Sequence, residues 1–319
     1  MPDSPHQLQC SEIWGSNDDV ERAVSMPGLD AWVLSKPHAG DIAGGDIHYL
    51  SSCATGRIGR ILIADMAGHG EKVALLATRL RGLMRRYVNY VDQKALAGEM
   101  NREFVALVDP GRFATAIVAT FWGPTGELDL TIAGHPTPMV YRASGRTWEL
   151  LGGQREAKSP GPESEDNIPL GIFDATTYGH EKVRLGRDDA LLLYTDALIE
   201  ARNQNGAFIG EVGLLRMLTE IARSAPVGDG FVLSTYQRLQ EFTGGLGLDD
   251  DATILLLKPN AIQVPKGSIA MSLRAGRRLG AEFISSVWAR LRGERRPFAM
   301  PELRKDNILG SLFDRFNAR

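Results

Sequence analysis

A chain of 319 residues with 43% apolar and 24% charged side chains has the length and balance of one large or two modest globular domains. Its net charge of −3 excludes a global attraction to nucleic acid or to an anionic membrane. Two cysteines, Cys10 and Cys53, fit neither a disulfide framework nor a zinc pattern.

No run approaches the roughly 20 apolar residues that span a bilayer, so no transmembrane segment is expected. The start, Met1-Pro2-Asp3-Ser4-Pro5-His6, lacks the basic and apolar regions of a signal peptide. A soluble, cytoplasmic protein is therefore expected. Charge is unevenly distributed: residues 260–319 hold 12 Lys/Arg against 5 Asp/Glu, which leaves a net −10 on the rest.

In chain order, residues 1–30 are polar and close on Met26-Pro27-Gly28, a lead-in rather than a core element. From Ala31 short apolar runs alternate with glycine turns. Arg60–Ala64 reads as a strand covered on both faces. A helical stripe of Val73, Leu76, Ala77, Leu80, Leu83, Met84 and Tyr87 predicts a helix from Glu71 to Val88, and a second helix is expected over Gln93 to Val108. Strands follow at Ala114–Phe121 and around Leu128–Ile132, joined through Gly123-Pro124-Thr125-Gly126. Met139–Arg142 and Trp148–Leu151 form another pair, and residues 152–167 read as a surface loop. Ala190–Tyr194 and Thr253–Leu257 are strand-like, with helices at Glu211–Arg223 and Phe231–Phe242 between them. Hairpins separated by paired helices favour an α+β fold of antiparallel sheets covered by helices.

Four acidic clusters stand beside glycine turns or strand ends: Gly44-Gly45-Asp46, Ala64-Asp65-Met66-Ala67-Gly68-His69-Gly70, Tyr194-Thr195-Asp196-Ala197 and Asp249-Asp250-Asp251-Ala252-Thr253. A carboxylate at the end of a buried strand is costly unless a cation meets it. Several converging carboxylates call for divalent ions, and hard oxygen donors select magnesium, manganese or calcium over zinc or copper. Two such ions would activate a water for in-line attack on a phosphoryl group.

The ordered set GGD, ADxxGHG, an Ala/Leu-rich helix, AGHP, IPLG, YTD and DDAT resembles the SpoIIE-like branch of the type 2C (PPM) metal-dependent protein serine/threonine phosphatases, over about Ala31 to Lys258. The resemblance implies a four-layer αββα sandwich and a dinuclear Mn2+ or Mg2+ site at one rim. It assigns Asp46 and Asp65 to the activated water and makes Asp46, Asp65, the Met66 backbone carbonyl, Asp196 and Asp250 the ligands. His69, Gly45 and Asp251 are supporting candidates. The implied substrate is a phosphoserine or phosphothreonine protein, such as an anti-sigma-factor antagonist in partner switching.

Two departures bear on activity. Ala197 replaces the usual glycine of TDG, and Tyr49 stands where a second acidic residue is frequent. They motivate an alternative function, a catalytically weak binding scaffold on the same fold. His69 lies in a turn where a structural hydrogen bond competes with a general-acid role, His48 and His135 read as packed or turn histidines, and Cys53 as a small buried residue.

The expected organisation is a lead-in (1–30), a phosphatase domain (31–258) and a basic amphipathic extension (259–319). In the extension, arginines alternate with Ile269, Leu273, Phe283, Trp288 and Leu291 at helical spacing. That pattern suits docking onto a partner or onto the catalytic domain.

Overall fold

The computed structural model describes residues 5–9, 12–38, 44–53, 55–66, 71–87, 90, 92–109, 111–153 and 168–265. Thirteen strands in the described residues form two sheets. The strands are β1 (His6–Gln7), β2 (Ile13–Trp14), β3 (Val20–Met26), β4 (Leu29–Lys36), β5 (Asp46–Ser52), β6 (Ile58–Met66), β7 (Ala114–Trp122), β8 (Glu127–Ala133), β9 (Met139–Arg142), β10 (Thr147–Leu150), β11 (Glu181–Arg184), β12 (Ala190–Tyr194) and β13 (Ala252–Pro259). Sheet A has the order β1-β3-β4-β13-β12-β9-β10, and sheet B has β11-β8-β7-β6-β5-β2. Helices α1 (Glu71–Arg86) and α2 (Gln93–Val105) lie on sheet B, while α3 (Gly210–Ser224) and α4 (Phe231–Phe242) lie on sheet A.

Period-two alternation sorts each strand between cores. On β6, Leu62 and Ala64 pack against α1 and α2 with Leu80, Met100 and Phe104. Their neighbours Ile61 and Ile63 turn inward to meet Leu191, Leu193, Leu255 and Leu257 of sheet A. On sheet A the other set, Leu192, Tyr194, Ile254 and Leu256, packs under α3 and α4 with Leu214, Leu218 and Leu239. Three apolar layers between four structural layers give the expected αββα sandwich.

Two expectations need correction. Residues 6–30 are no mere lead-in: β1 and β3 join sheet A, β2 joins sheet B, and Leu8, Ile13, Val24, Met26 and Leu29 are buried. The segment mixes exposed residues such as Glu21 and Arg22 with the buried run Val24–Met26, so its apolar pattern is short and broken. The β1–β3 pair is also parallel, so sheet A is mixed; every other named strand pair is antiparallel.

At the far end of the domain, β13 continues to Pro259. Asn260 then bonds to Met26 O and Asp30 Oδ1, and Val264 packs against Gly28 and Gly123. The chain therefore stays attached past the expected boundary at 258, and the amphipathic stretch of the extension lies outside the described residues. No described helix is long and apolar enough to cross a membrane.

Candidate metal centre

Asp46 opens β5 and Asp65 is the penultimate residue of β6; they are register partners. Alternation puts both on the inward face, continuing the apolar columns of Leu50 and of Ile61 and Ile63. The next row carries Met66, whose N–H bonds to Gly45 O at 3.3 Å and which pairs with Ala114 of β7. Leu170 closes that row through two backbone bonds to Ala114. There the AGHP and IPLG segments meet. Gly134, at φ +67°, leaves no room for a side chain, since a Cβ would stand 2.5 Å from Pro169.

Sheet A supplies the facing wall. Thr195 follows β12, and Asp196 begins a 3-10 turn, Asp196–Leu198, whose carbonyl oxygen accepts N–H bonds from Ile199 and Glu200. Asp250 and Asp251 precede β13. The Asp251 carboxylate takes the N–H of His38 at 2.6 Å and the N–H of Gly45, so it clamps the turn that delivers Asp46. A Cβ on Gly44 would lie 2.6 Å from its Cγ. Asp250 Oδ1 accepts the Asp251 N–H, and its side chain is exposed at the rim.

Electrostatics mark the cluster. Burial, then the charge of Asp65, raises Asp46 well above the carboxylate range, opposed by the hydroxyls of Thr195 and Thr253. Asp65 is pushed up to about 7 by burial and then by Asp196, Asp250 and Asp251, with the Met66 backbone opposing. Asp196 is raised by burial, then by Glu200 and Asp250. Asp46, Asp65 and Asp196 form no ion pair with a lysine or arginine among the described residues.

Those raised proton affinities and the all-oxygen donor set fit hard divalent cations. As the side chains stand, no three described His, Cys, Asp or Glu groups are gathered tightly enough to hold an ion. Asp46 is turned to Thr195 and Asp251 to backbone N–H groups.

The remaining candidates divide clearly. Gly45 contributes backbone contacts at the rim, whereas His69 lies outside the described residues. His135 is buried, bonds Thr115 at 2.9 Å, and is pushed down to about 3 by burial, partly offset by the Tyr194 backbone. His48 is buried against Trp14, with neither ring nitrogen hydrogen-bonded.

Tyr49 faces the opposite way, into the helix-side core, with Arg81 stacked 5.5 Å from its ring centre. It cannot stand in for a missing ligand. Ala197 needs no left-handed backbone, because Arg146 is the only non-glycine at positive φ among the described residues. Its methyl is buried in the sheet A core. The alanine therefore sits in this turn without backbone strain.

Residues missed by motif reading are Ser35, Thr195 and Thr253, which line the inner face opposite Asp46. The threonines of Thr195-Asp196 and Ala252-Thr253 were the available signal. A separate open cavity of about 470 Å³ between α3 and α4, lined by Phe208, Ile209, Met217 and Phe242, contains none of the carboxylates.

A family model described as Stage II sporulation protein E (SpoIIE) matches residues 56–260. Phosphoserine phosphatase RsbU of Bacillus subtilis (strain 168) is 25% identical over 232 residues, 72% of this chain and 63% of that protein. Phosphoserine phosphatase RsbP of the same organism is 27% identical over 145 residues, 44% of this chain and 33% of that one. This chain therefore spans less than two thirds of either relative.

Among solved structures, the RsbU and RsbW domains of Rv1364c from Mycobacterium tuberculosis superpose with a TM-score of 0.60 at 23% identity, covering 82% of this chain and 70% of that one. The SiaA-PP2C domain of Pseudomonas aeruginosa gives 0.56 at 22%, covering 72% and 84%. The PP2C phosphatase domain of SpoIIE from Bacillus subtilis, with a fragment of its regulatory domain, gives 0.56 at 14%, covering 79% and 72%. These likenesses establish the fold.

Proposed function

The chain belongs to the SpoIIE family, and from that premise we propose that it is a divalent-cation-dependent protein serine/threonine phosphatase. The observation that carries the reading is the opposed pair Asp46–Asp65 at one sheet rim, with Asp196, Asp250 and Asp251 near enough to raise the proton affinity of Asp65. Asp46, Asp65, the Met66 carbonyl, Asp196 and Asp250 would hold two ions, Mn2+ or Mg2+. RsbX, whose structure is in complex with magnesium, shares the fold at a TM-score of 0.52. When bound, the cations supply a nucleophilic water at neutral pH and neutralise charge on the phosphoryl oxygens.

The chain's own groups do the positioning. The inter-sheet core beneath the rim excludes water from the inner side of Asp46 and Asp65. Asp251 holds the Gly44-Gly45 turn by the Gly45 N–H, and Thr195 holds Asp46. The named activity of RsbU and RsbP supports phosphoserine as substrate, and an anti-sigma-factor antagonist is the protein class we infer. The scaffold alternative rested on Tyr49 and Ala197; the first faces away and the second sits unstrained, so neither favours it.

The test is hydrolysis of p-nitrophenyl phosphate and of a serine-phosphorylated protein by the purified chain with manganese. Chelation and Asp65→Asn should each abolish turnover. Full activity in Asp65→Asn overturns the metal-centred reading.

A further inference from the structure

Three hydroxyl side chains stand in one row across the inner face of sheet A. Ser35 and Thr253 are register partners on β4 and β13. Thr195 continues the row at the end of β12, where its N–H bonds to Thr253 O at 3.1 Å. Their neighbours Leu34, Tyr194 and Ile254 point under α3 and α4, so alternation sends all three hydroxyls between the sheets. They are no more than 2% exposed.

The bonding has a direction. Thr195 Oγ1 accepts the N–H of Thr253 at 2.9 Å, and that donor belongs to the backbone. A hydroxyl has one proton, and the one on Thr195 is left for Asp46 Oδ2, 2.7 Å away on the other sheet. Behind it, Thr253 Oγ1 lies 2.9 Å from Ser35 Oγ. No side chain in the row has solvent to replace a lost partner.

We propose that Thr195 is a positioning residue for the cation site. Its hydroxyl fixes the Asp46 carboxylate through Oδ2, the Thr253 N–H commits that hydroxyl to donating, and the Thr253 hydroxyl, paired with Ser35, adds a second hold on Asp46. The proposal rests on the phosphatase reading above, in which Asp46 is a ligand. None of the three hydroxyls touches substrate or ion. Partners that orient a ligating carboxylate typically change metal affinity by about 10–100-fold when removed.

The experiment measures manganese affinity by calorimetry on the full chain, together with melting temperature in chelator. A merely structural threonine would lower the melting temperature and leave the affinity alone. Thr195→Val should weaken manganese binding about tenfold or more, and Thr195→Ser should restore it to within about threefold. Affinity unchanged in Thr195→Val overturns the proposal. Should that variant not fold, Thr253→Val carries the test, since it removes the second hydroxyl that holds Asp46 and keeps the amide donor to Thr195. A weakening of about threefold supports the proposal, and unchanged affinity overturns it. Wild-type protein that takes up no manganese would overturn the phosphatase reading itself, a result distinct from equal binding by wild type and variant.

Discussion

Gly44 and Asp251 occupy one space: a Cβ on the glycine would fall 2.6 Å from the aspartate's Cγ. The two are far apart in sequence, yet the carboxylate reaches the N–H groups of His38 and Gly45 only because residue 44 has no side chain. The flexible-looking glycine pair before Asp46 is therefore a socket.

Gly44→Ala should displace Asp251 and cost about 1–3 kcal/mol, the usual range for forcing a methyl into a filled space and unpairing backbone donors. Urea denaturation measures it. In the Gly44→Ala background, Asp251→Ala should cost less than in wild type, because the two substitutions disrupt one contact. Additive costs would show that the contact does not couple them.

Ala197→Gly restores the residue usual in the family motif. Because Ala197 lies in a 3-10 turn without positive φ and buries its methyl, the change should lower stability by about 1 kcal/mol. Manganese affinity should stay within about twofold. A clear rise in affinity by calorimetry would show that the methyl does obstruct the site.

His135 gives an acid-sensitive term. Burial holds its pKa at about 3, against about 6.5 in the unfolded chain. The unfolded state then binds more protons below pH 6.5, so stability falls as pH drops from 6.5 toward 3. Between pH 7.5 and 5 the loss should be about 2 kcal/mol. His135→Gln should remove that part of the pH dependence in chemical denaturation. An unchanged slope would mean that the ring is protonated in the fold.

Truncation tests the end of the packed domain. The comparison is between a chain ending at Pro265 and one ending at Pro259. The shorter chain loses the bonds of Asn260 to Met26 and Asp30, and the packing of Val264 on Gly28 and Gly123. It should be less stable by about 1–3 kcal/mol, a sum of two or three part-buried contacts. Equal melting temperatures would place the boundary at 259.

Much was legible before any coordinates. The stripe of Val73, Leu76, Leu80, Leu83 and Met84 placed α1, and the expected bounds of α4 match those found. Asp46 and Asp65 could be paired through the family motifs, and register then put them opposite each other. Residues 6–30 were misjudged because strands near a sheet edge carry a weak pattern: β3, next to the two-residue edge strand β1, buries Val24, Ser25 and Met26 yet exposes Glu21 and Arg22.

The sequence by itself determined which side chains carry charge, which face of each strand is apolar, and where glycine permits a close turn, since these are local properties of a few neighbouring residues. Tertiary structure decided what those residues meet. Thr195 and Asp46 lie 149 positions apart, on different sheets, and no periodicity within either strand encodes their 2.7 Å bond. The same holds for Asp251 over Gly44 and for Tyr49 facing away from the site. Contacts between layers depend on how two separately patterned sheets stack, and that relationship arises only when their apolar faces are buried against each other.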